Sequence, residues 1–218
     1  MKILAVEFSS EQRSVAVMDG AAADSPKLLG ESSELGGRRA LSLVDEALQR
    51  AKFEREEIDC IAVGLGPGSY TGIRGSIALA QGWQLGREVK LLGISSVEVL
   101  AAQAQTDKIF GEINIVIDAQ RNEFYLARYK ISSNGVRESE CLRLASFAEV
   151  EERSKTGQLI IGPDITRCFS SAKNIFPAAA QLGFLAAARN DFSSGEKLEP
   201  IYLREVAFKK APPSRVIN

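Results

Sequence analysis

The sequence contains no histidine, and this absence narrows the chemistry that is open to the chain. Imidazole is the base of Ser-His-Asp and Cys-His catalytic groups, and it is a common ligand of catalytic zinc. Those mechanisms are excluded unless another chain supplies the histidine. Catalysis by this chain alone would have to use carboxylates, lysine, an unassisted thiol or a metal site made of oxygen ligands.

Cysteines and long apolar runs are also scarce. The cysteines Cys60, Cys141 and Cys168 are far apart and form no Cys-x-x-Cys pair, which argues against a disulfide framework and a zinc ribbon. We expect them to be small buried apolar residues. Residues 1–10 are apolar for only a few positions, too short a run for a signal-peptide core or a membrane span. This predicts a buried first strand in a cytoplasmic protein with no membrane contact.

The chain has little net charge, because 27 basic and 28 acidic residues nearly cancel. Without an overall positive field, we do not expect the chain alone to bind nucleic acid tightly. Arg204, Lys209, Lys210 and Arg215 near the C-terminus could contact RNA phosphate, but they fit a solvated terminus better. The length and the 45% apolar content allow one large domain or two small ones. We predict no cofactor.

The pattern of apolar residues predicts strands that alternate with helices in the first half of the chain. The strands fall at residues 2–6, 14–18, 27–31, 60–64 and 91–93, and the helices at 36–53, 72–85 and 95–105. The helix at 36–53 has a wide apolar face, with Leu41, Val44 and Leu48 on one stripe and Leu43 and Ala47 on another. A face this wide leaves surface for another helix.

The second half opens with the same pattern as the first. An apolar strand at 114–118, a polar turn and a strand at 123–129 repeat the opening hairpin, and the carboxylates Glu7 and Asp118 follow or end the first strand of each. Duplication of an α/β unit or chance could produce this repeat, and the pattern alone leaves both open. For a duplication, the boundary falls within 105–112, so the predicted units are residues 1–106 and 107–218.

The remaining elements of the second half are predicted from weaker patterns. Residues 146–153 and the alanine-rich segment 178–189 have helical spacing, and residues 158–161 resemble a strand before a turn at 162–164. A short strand and a basic tail are predicted from residue 200 onward.

A glycine-rich turn at 66–72 precedes the second helix. Such a turn can hold an anion with its backbone N–H groups. However, no Gly-Lys-Ser/Thr follows, and Pro67 stands where a dinucleotide-binding loop needs a free backbone. We favour a strand-to-helix turn whose glycines allow positive φ and close packing.

The helix that follows carries Gly72, Ser76 and Ala80 at a spacing of four residues. Small residues in this arrangement let another helix approach closely. Internal packing against the sheet and a contact with another subunit explain the stripe equally well. The second reading would join this helix with the one at 36–53 in a single contact surface.

Three carboxylates, Glu7, Asp118 and Asp164, end or follow apolar strands, where α/β folds tend to place binding groups. Together they could bind magnesium and phosphate in a kinase-like cleft. Against this, the first turn, residues 7–10, reads Glu-Phe-Ser-Ser and lacks a glycine that would let phosphate touch the backbone. We therefore favour solvated strand ends over catalytic acids.

The sequence resembles the TsaB (YeaZ) family, the dimerisation subunit of bacterial tRNA threonylcarbamoyladenosine synthase. The most specific motif is Gly-Pro-Gly-Ser-Tyr-Thr-Gly-Ile-Arg at 66–74. Ile-Leu-Ala-Val-Glu-Phe-Ser-Ser at 3–10, Asp-Ala-Gln-Arg-Asn-Glu-Phe-Tyr at 118–125 and Pro-Ile-Tyr-Leu-Arg-Glu-Val-Ala at 200–207 support it by their order and spacing. The resemblance thus spans almost the full chain.

The resemblance implies an α/β fold of the actin-like ATPase (ASKHA) class, with two ribonuclease-H-like halves of which the second is reduced. It also implies a non-catalytic partner of the catalytic subunit TsaD, in an assembly that the ATPase subunit TsaE joins and through which tRNA is bound. The family contact uses the first two helices. On this chain it maps to residues on both helices: Leu43, Ala47, Gly72, Ser76 and Ala80.

Two departures from the family pattern concern nucleotide binding. Family members usually have Asp-Thr-Ser-Thr at the first turn, and they often carry a histidine where this chain has Gly-Gly-Arg at 36–38. If a nucleotide binds, Glu7, Ser10 and Asp118 are the residues expected to contact it. These departures argue against nucleotide binding by this subunit. The alternative function, suggested by the carboxylates Glu7, Asp118 and Asp164, is a small-molecule kinase or ATPase of the same fold. An unpartnered apolar helix face also predicts a homodimer of the isolated chain.

Overall fold

The computed structural model of the chain describes residues 1–20, 25–36 and 40–203. Strands and helices alternate along it in two similar series. The first series is β1 (Lys2–Glu7), β2 (Gln12–Asp19), β3 (Lys27–Leu35), α1 (Ala40–Ala51), β4 (Cys60–Gly64), α2 (Tyr70–Gly86), β5 (Lys90–Ile94) and α3 (Ser96–Thr106). The second is β6 (Gly111–Asp118), β7 (Glu123–Ser132), β8 (Gly135–Ser146), α4 (Phe147–Lys155), β9 (Leu159–Gly162), β10 (Lys173–Asn174) and α5 (Ala179–Ala187).

The two series form two five-stranded sheets with the same topology. The first sheet has the order β3-β2-β1-β4-β5, and the second, read from its other edge, has the order β8-β7-β6-β9-β10. In both sheets the first three strands of the series pair antiparallel and the last two join in parallel. This shared topology extends the hairpin repeat to a whole unit, and the expected pair of related α/β halves is confirmed.

The second half is the smaller one, as expected. Where α2 connects β4 to β5, a single 3₁₀ turn at Ile165–Arg167 stands between β9 and β10. β10 itself has only two residues. The second sheet therefore has less helical cover than the first.

Each half sends its last helix to the sheet of the other half. α3 packs on the second sheet through Leu100 and Ala104, while α5 packs on the first sheet through Leu182 and Ala186. The two helices also contact each other, and Arg189 forms an ion pair with Glu98 beside them. The division at residue 106 stays a prediction. Because α3 and α5 each pack on the sheet of the other half, the two halves share their cores.

The first sheet is covered on both faces, which explains the continuous apolar runs of β1 and β4. α1 and α2 cover one face, with Val6, Ile61 and Val63 beneath them, and α5 covers the other. α3 and α4 cover the two faces of the second sheet in the same way. The outer faces of α1 and α2 are left on the surface of the molecule.

Several details differ from the sequence prediction. β3 runs four residues further than expected, and α2 begins at Tyr70 because the Ser69 side chain accepts a hydrogen bond from the Gly72 N–H and caps the helix. β8 was not predicted. Its side chains are mostly partly exposed and many are charged, so it lacks the apolar alternation that marks a strand. No strand begins at residue 200 within the described chain, and the basic tail lies outside the described residues.

Candidate functional site

The outer surface of α1 and α2 carries the two most exposed large apolar side chains of the described chain, Leu41 and Leu85. Leu41 on α1 is 71% exposed, Leu85 on α2 is 90% exposed, and Tyr70 at the start of α2 is 59% exposed. A groove of about 230 Å³ between the two helices is lined by Val44, Leu79 and Trp83, with Leu41 and Arg55 at its sides. Exposed apolar surface of this kind makes this face a candidate for contact with another molecule.

α2 presents a stripe of small residues on this surface. Thr71, Gly75, Ala78 and Gly82 are exposed at spacings of four, three and four residues, which places them on one side of the helix. A Cβ atom added at Gly75 or Gly82 would meet no heavy atom within 4 Å. The stripe therefore lets a second helix approach α2 closely.

The five residues expected to form the partner contact lie on the inner side of the same helices. Leu43 and Ala47 of α1 and Ala80 of α2 belong to the core that these helices form with the first sheet. Gly72 and Ser76 are also buried, and the Ser76 hydroxyl donates to the Ile73 carbonyl oxygen, 2.8 Å away. The sheet occupies this side of the helices, so these five residues pack inside the molecule in this structure, and a partner contact on these helices remains a prediction.

Gly72 has an internal role that explains its small size. A Cβ atom at this position would lie 1.9 Å from the carbonyl oxygen of Phe8. The start of α2 therefore packs directly on the turn after β1, and only glycine permits this approach. Gly66 and Gly68 in the preceding turn have φ of 82° and 147°, as expected for a strand-to-helix turn.

The sequence prediction did not identify the exposed stripe of small residues on α2, although the sequence contains a signal for it. The large residues Ile73 and Ile77 lie in phase with Gly72 and Ser76, so this side of α2 had to face the core. Gly75, Ala78 and Gly82 lie out of phase with them. Choosing the small residues on the side away from the isoleucines would have found the exposed stripe.

Glu7 lies at the carboxyl end of β1 and is fully buried, so the expectation of a solvated strand end is wrong for this residue. Its carboxylate accepts hydrogen bonds from the Ser9 N–H at 2.8 Å and from the Ser96 hydroxyl at 2.9 Å. Gly64 makes room for it, because a Cβ atom there would lie 2.1 Å from Glu7 Oε2. Burial raises the pKa of Glu7, although the hydrogen bonds from Ser9 and Ser96 oppose this effect.

The Glu7 carboxyl stabilises the loop that leads into α2. Ser96 Oγ accepts a hydrogen bond from the Gly66 N–H at 3.2 Å, and the Ser96 N–H donates to the Gly66 carbonyl at 2.8 Å. The Ser69 N–H donates to the carbonyl of Ser9 at 2.7 Å. The end of β1, the start of α3 and the loop before α2 thus form one buried hydrogen-bonded unit.

The other residues predicted for a nucleotide site do not join this unit. The Ser10 side chain is buried and donates to the carbonyl of Gln12 at 2.9 Å. Asp118 is exposed in the second half, where it accepts from the Gln120 N–H at 2.7 Å. Asp164 lies 3.5 Å from Arg167, whose guanidinium is also 3.6 Å from Glu11 of the first half.

Other predictions about site chemistry have mixed outcomes. Cys60 is buried as expected, whereas Cys141 and Cys168 are exposed, so the expectation of three buried cysteines is wrong for these two. Within residues 1–20, 25–36 and 40–203, no group of three or more acidic or cysteine side chains is placed to hold a metal ion. In the same part of the chain, no helix has the length and apolar character to span a membrane.

Comparison with known proteins places the chain in a family. Residues 33–210 match the family model described as TsaD, tRNA N6-adenosine threonylcarbamoyltransferase. The chain belongs to this family. Among its curated relatives, the tRNA threonylcarbamoyladenosine biosynthesis protein TsaB of Escherichia coli is 28% identical over 97% of this chain and 99% of its own length. The protein of the same name from Haemophilus influenzae is 26% identical, with 97% and 98% covered.

The fold is shared with solved structures of this group. YeaZ from Pseudomonas aeruginosa superposes with a TM-score of 0.75 at 23% identity, covering 93% of this chain and 99% of that one. The resemblance to TsaB and YeaZ proteins and the actin-like ATPase fold are therefore confirmed. The most specific sequence motif of this family, at 66–74, forms the loop that the Glu7 unit holds and the first turn of α2.

Proposed function

We propose that the chain is a non-catalytic subunit of the cytoplasmic machinery that makes threonylcarbamoyladenosine in tRNA. In this proposal it binds the catalytic threonylcarbamoyltransferase, TsaD, through the outer faces of α1 and α2. TsaE joins the resulting assembly, and tRNA is bound only through the complex. The names of the curated relatives support the pathway, and the match to the TsaD model supports a partner of related fold.

The observation that carries the proposed contact is the outer face of α2. Its exposed small residues, Gly75, Ala78 and Gly82, lie beside the apolar groove that contains Leu79 and Trp83. A helix of the partner can approach along the small residues while larger apolar side chains enter the groove. The same face would also accept a second copy of this chain, which supports a homodimer in the absence of the partner.

The arrangement around Glu7 supports a role without nucleotide chemistry. A phosphate would need space between the turn after β1 and the loop before α2, and here these two segments pack directly on each other. A Cβ atom at Gly68 would lie 2.1 Å from the carbonyl oxygen of Ser9. Glu7 is buried within the same contact. The alternative of a small-molecule kinase or ATPase predicts tight binding of ATP and magnesium, which calorimetry measures directly.

The contact is tested with Ala78→Arg, because this residue lies in the middle of the outer stripe. The arginine fits a helix well and the position is exposed, so the fold should be kept. We expect the affinity for purified TsaD, measured by calorimetry, to fall about tenfold or more. Ala148→Arg, an exposed alanine on α4, is the matched control and should bind as the wild type does. Equal binding by the Ala78 and Ala148 variants would remove the interface proposal.

The function is tested by reconstitution. Threonylcarbamoylation of tRNA is measured in a mixture of TsaD, TsaE and the synthase that makes threonylcarbamoyl-adenylate, with and without this chain. We expect product only when the chain is present, and none from the chain and the adenylate synthase together. Product formation by cognate TsaD and TsaE at the same rate without the chain would contradict a role in this reaction.

A further inference from the structure

An exposed cluster of two tyrosines and an arginine lies at the start of α2. The rings of Tyr70 and Tyr202 stack with their centroids 5.6 Å apart and their planes at 24°. The guanidinium carbon of Arg74 lies 5.4 Å from the centroid of the Tyr70 ring. Despite these contacts, Tyr70 and Tyr202 are 59% and 41% exposed.

The segment that carries Tyr202 is anchored along α2. The side chain of Gln81 donates to the Gly195 carbonyl at 2.8 Å, and the Gly195 N–H donates to Gln84 at 2.9 Å. Leu198 is part of the core beneath α1 and α2, and the Ile201 N–H donates to the Leu65 carbonyl at 2.9 Å. Tyr202 is therefore held in position before any partner arrives, which lowers the entropic cost of using it in a contact.

Arg74 gives this end of α2 a distinct charge. It is the only charged residue among the seventeen of α2. Within the described chain, no carboxylate lies within ion-pair distance of it. The acidic residues of α1 are already engaged, Asp45 with Arg55 and Glu46 with the Ser32 hydroxyl. An outward guanidinium stacked on a tyrosine is suited to a carboxylate, which it can bind through two parallel hydrogen bonds.

We propose that Arg74, Tyr70 and Tyr202 form a recognition site for a carboxylate side chain on the surface of TsaD, and that this site favours TsaD over a second copy of the chain. The proposal rests on the proposed function. Two copies packed through α2 would bring no α2 carboxylate to Arg74, because the helix contains none. A partner with an aspartate or glutamate opposite Arg74 satisfies its charge, whereas the α2 helix of a second copy offers it no carboxylate.

The experiment compares Arg74→Met with the wild type in two measurements. Methionine keeps the length and helix propensity of the side chain while removing its charge. We expect the affinity for TsaD, measured by calorimetry at low salt, to fall about tenfold or more. We expect self-association, measured by analytical ultracentrifugation, to stay unchanged or to strengthen. Arg137→Met, at an exposed position on β8, is the matched control and should change neither measurement.

Two further variants sharpen the result. Arg74→Lys keeps the charge but loses the planar pair of donors, so it should bind TsaD with an affinity between those of the wild type and the methionine variant. Tyr202→Ala removes the ring that stacks on Tyr70 and should weaken TsaD binding in the same direction. Equal losses of TsaD binding and of self-association would overturn the selectivity, because Arg74 would then contribute to both contacts alike.

Failure of this proposal is distinguishable from failure of the proposed function. If Ala78→Arg abolishes TsaD binding while Arg74→Met binds normally, the interface stands and the carboxylate site is rejected. If neither variant affects binding, the interface itself is rejected. An arginine beside aromatic rings can also contact RNA. Retention of tRNA by the complex is therefore measured as well, and a loss confined to tRNA would assign the cluster to RNA and overturn the proposal.

Discussion

The two hairpins that open the halves of the molecule have the same topology and opposite surroundings. In the first, Glu7 is fully buried between the loop before α2 and the start of α3. In the second, Asp118 is exposed and its main partner is the N–H of Gln120, two residues further along the chain. The difference follows from what covers each hairpin, because a single 3₁₀ turn replaces the counterpart of α2 in the second half. At equivalent positions, the Glu7 carboxylate is therefore a buried hydrogen-bonding group and the Asp118 carboxylate is an exposed one.

The largest expected effect is on the free energy of unfolding, when alanine replaces Glu7 and, for comparison, Asp118. Glu7→Ala leaves a cavity and deprives the Ser9 N–H and the Ser96 hydroxyl of their buried acceptor. We expect the free energy of unfolding to fall by roughly 3 to 5 kcal/mol. Asp118→Ala acts at the surface and should cost about 1 kcal/mol or less. Urea denaturation followed by circular dichroism measures both values.

A similar loss for the two variants would contradict the contrast between the hairpins. If the Glu7 variant does not fold at all, Ser96→Ala offers a milder test of the same unit. It removes one donor to Glu7 and the acceptor of the Gly66 N–H, while keeping most of the packing. We expect its cost to lie between those of the two alanine variants above.

The next effect is a change in how stability depends on pH. Burial raises the pKa of Glu7 in the folded chain above its value in the unfolded chain. At a pH between these two values, Glu7 is protonated in the folded chain and ionised in the unfolded chain. The stability from this group is complete below the unfolded pKa and is lost as pH rises through the folded pKa. Glu7→Gln removes the ionisation and keeps one acceptor oxygen for the Ser9 N–H, while its amide NH2 group can donate to Ser96 Oγ in place of accepting from it. We therefore expect the Tm of the wild type to fall relative to that of the variant as pH rises above the unfolded pKa of the glutamate.

The matched control for this titration is Asp118→Asn, because its carboxylate lies in the exposed hairpin. Its Tm should follow that of the wild type across the same range. If the Glu7→Gln and wild-type curves run parallel, the buried carboxyl does not change its protonation on folding, and the contrast between the two carboxylates would be one of packing alone.

The sequence predicted the elements of the fold well because their signals are local. Residues 60–64 form a short run without a polar side chain, which is typical of a buried strand, and Ser69 caps the helix that follows it. The burial of Glu7 depends instead on Ser96, 89 residues away, and on Gly64. No local pattern contains that information, so the first turn was interpreted as a solvated end.

The same limit explains why the five residues predicted for the partner contact lie on the buried side of their helices. Two stripes of small residues run along α2, and either could have faced a partner. The sheet beneath the helix decides between them, since the stripe with Gly72 packs on the turn after β1. A periodic pattern shows that a helix has two usable sides, but tertiary packing selects which of them remains exposed.

The smallest expected effect concerns the backbone of the exposed hairpin. Its turn holds Gln120, Arg121 and Asn122 with φ of 65°, 59° and 59°, a conformation that costs free energy for residues with a side chain. Arg121→Gly should relieve this cost and raise the free energy of unfolding by about 0.5 to 1 kcal/mol, although glycine also gains entropy in the unfolded chain. Asn122→Gly should gain less, because asparagine tolerates this conformation better than arginine does. A loss of stability in Arg121→Gly would show that the arginine side chain makes contacts that outweigh the strain, and the second hairpin would then depend on its side chains as the first depends on Glu7.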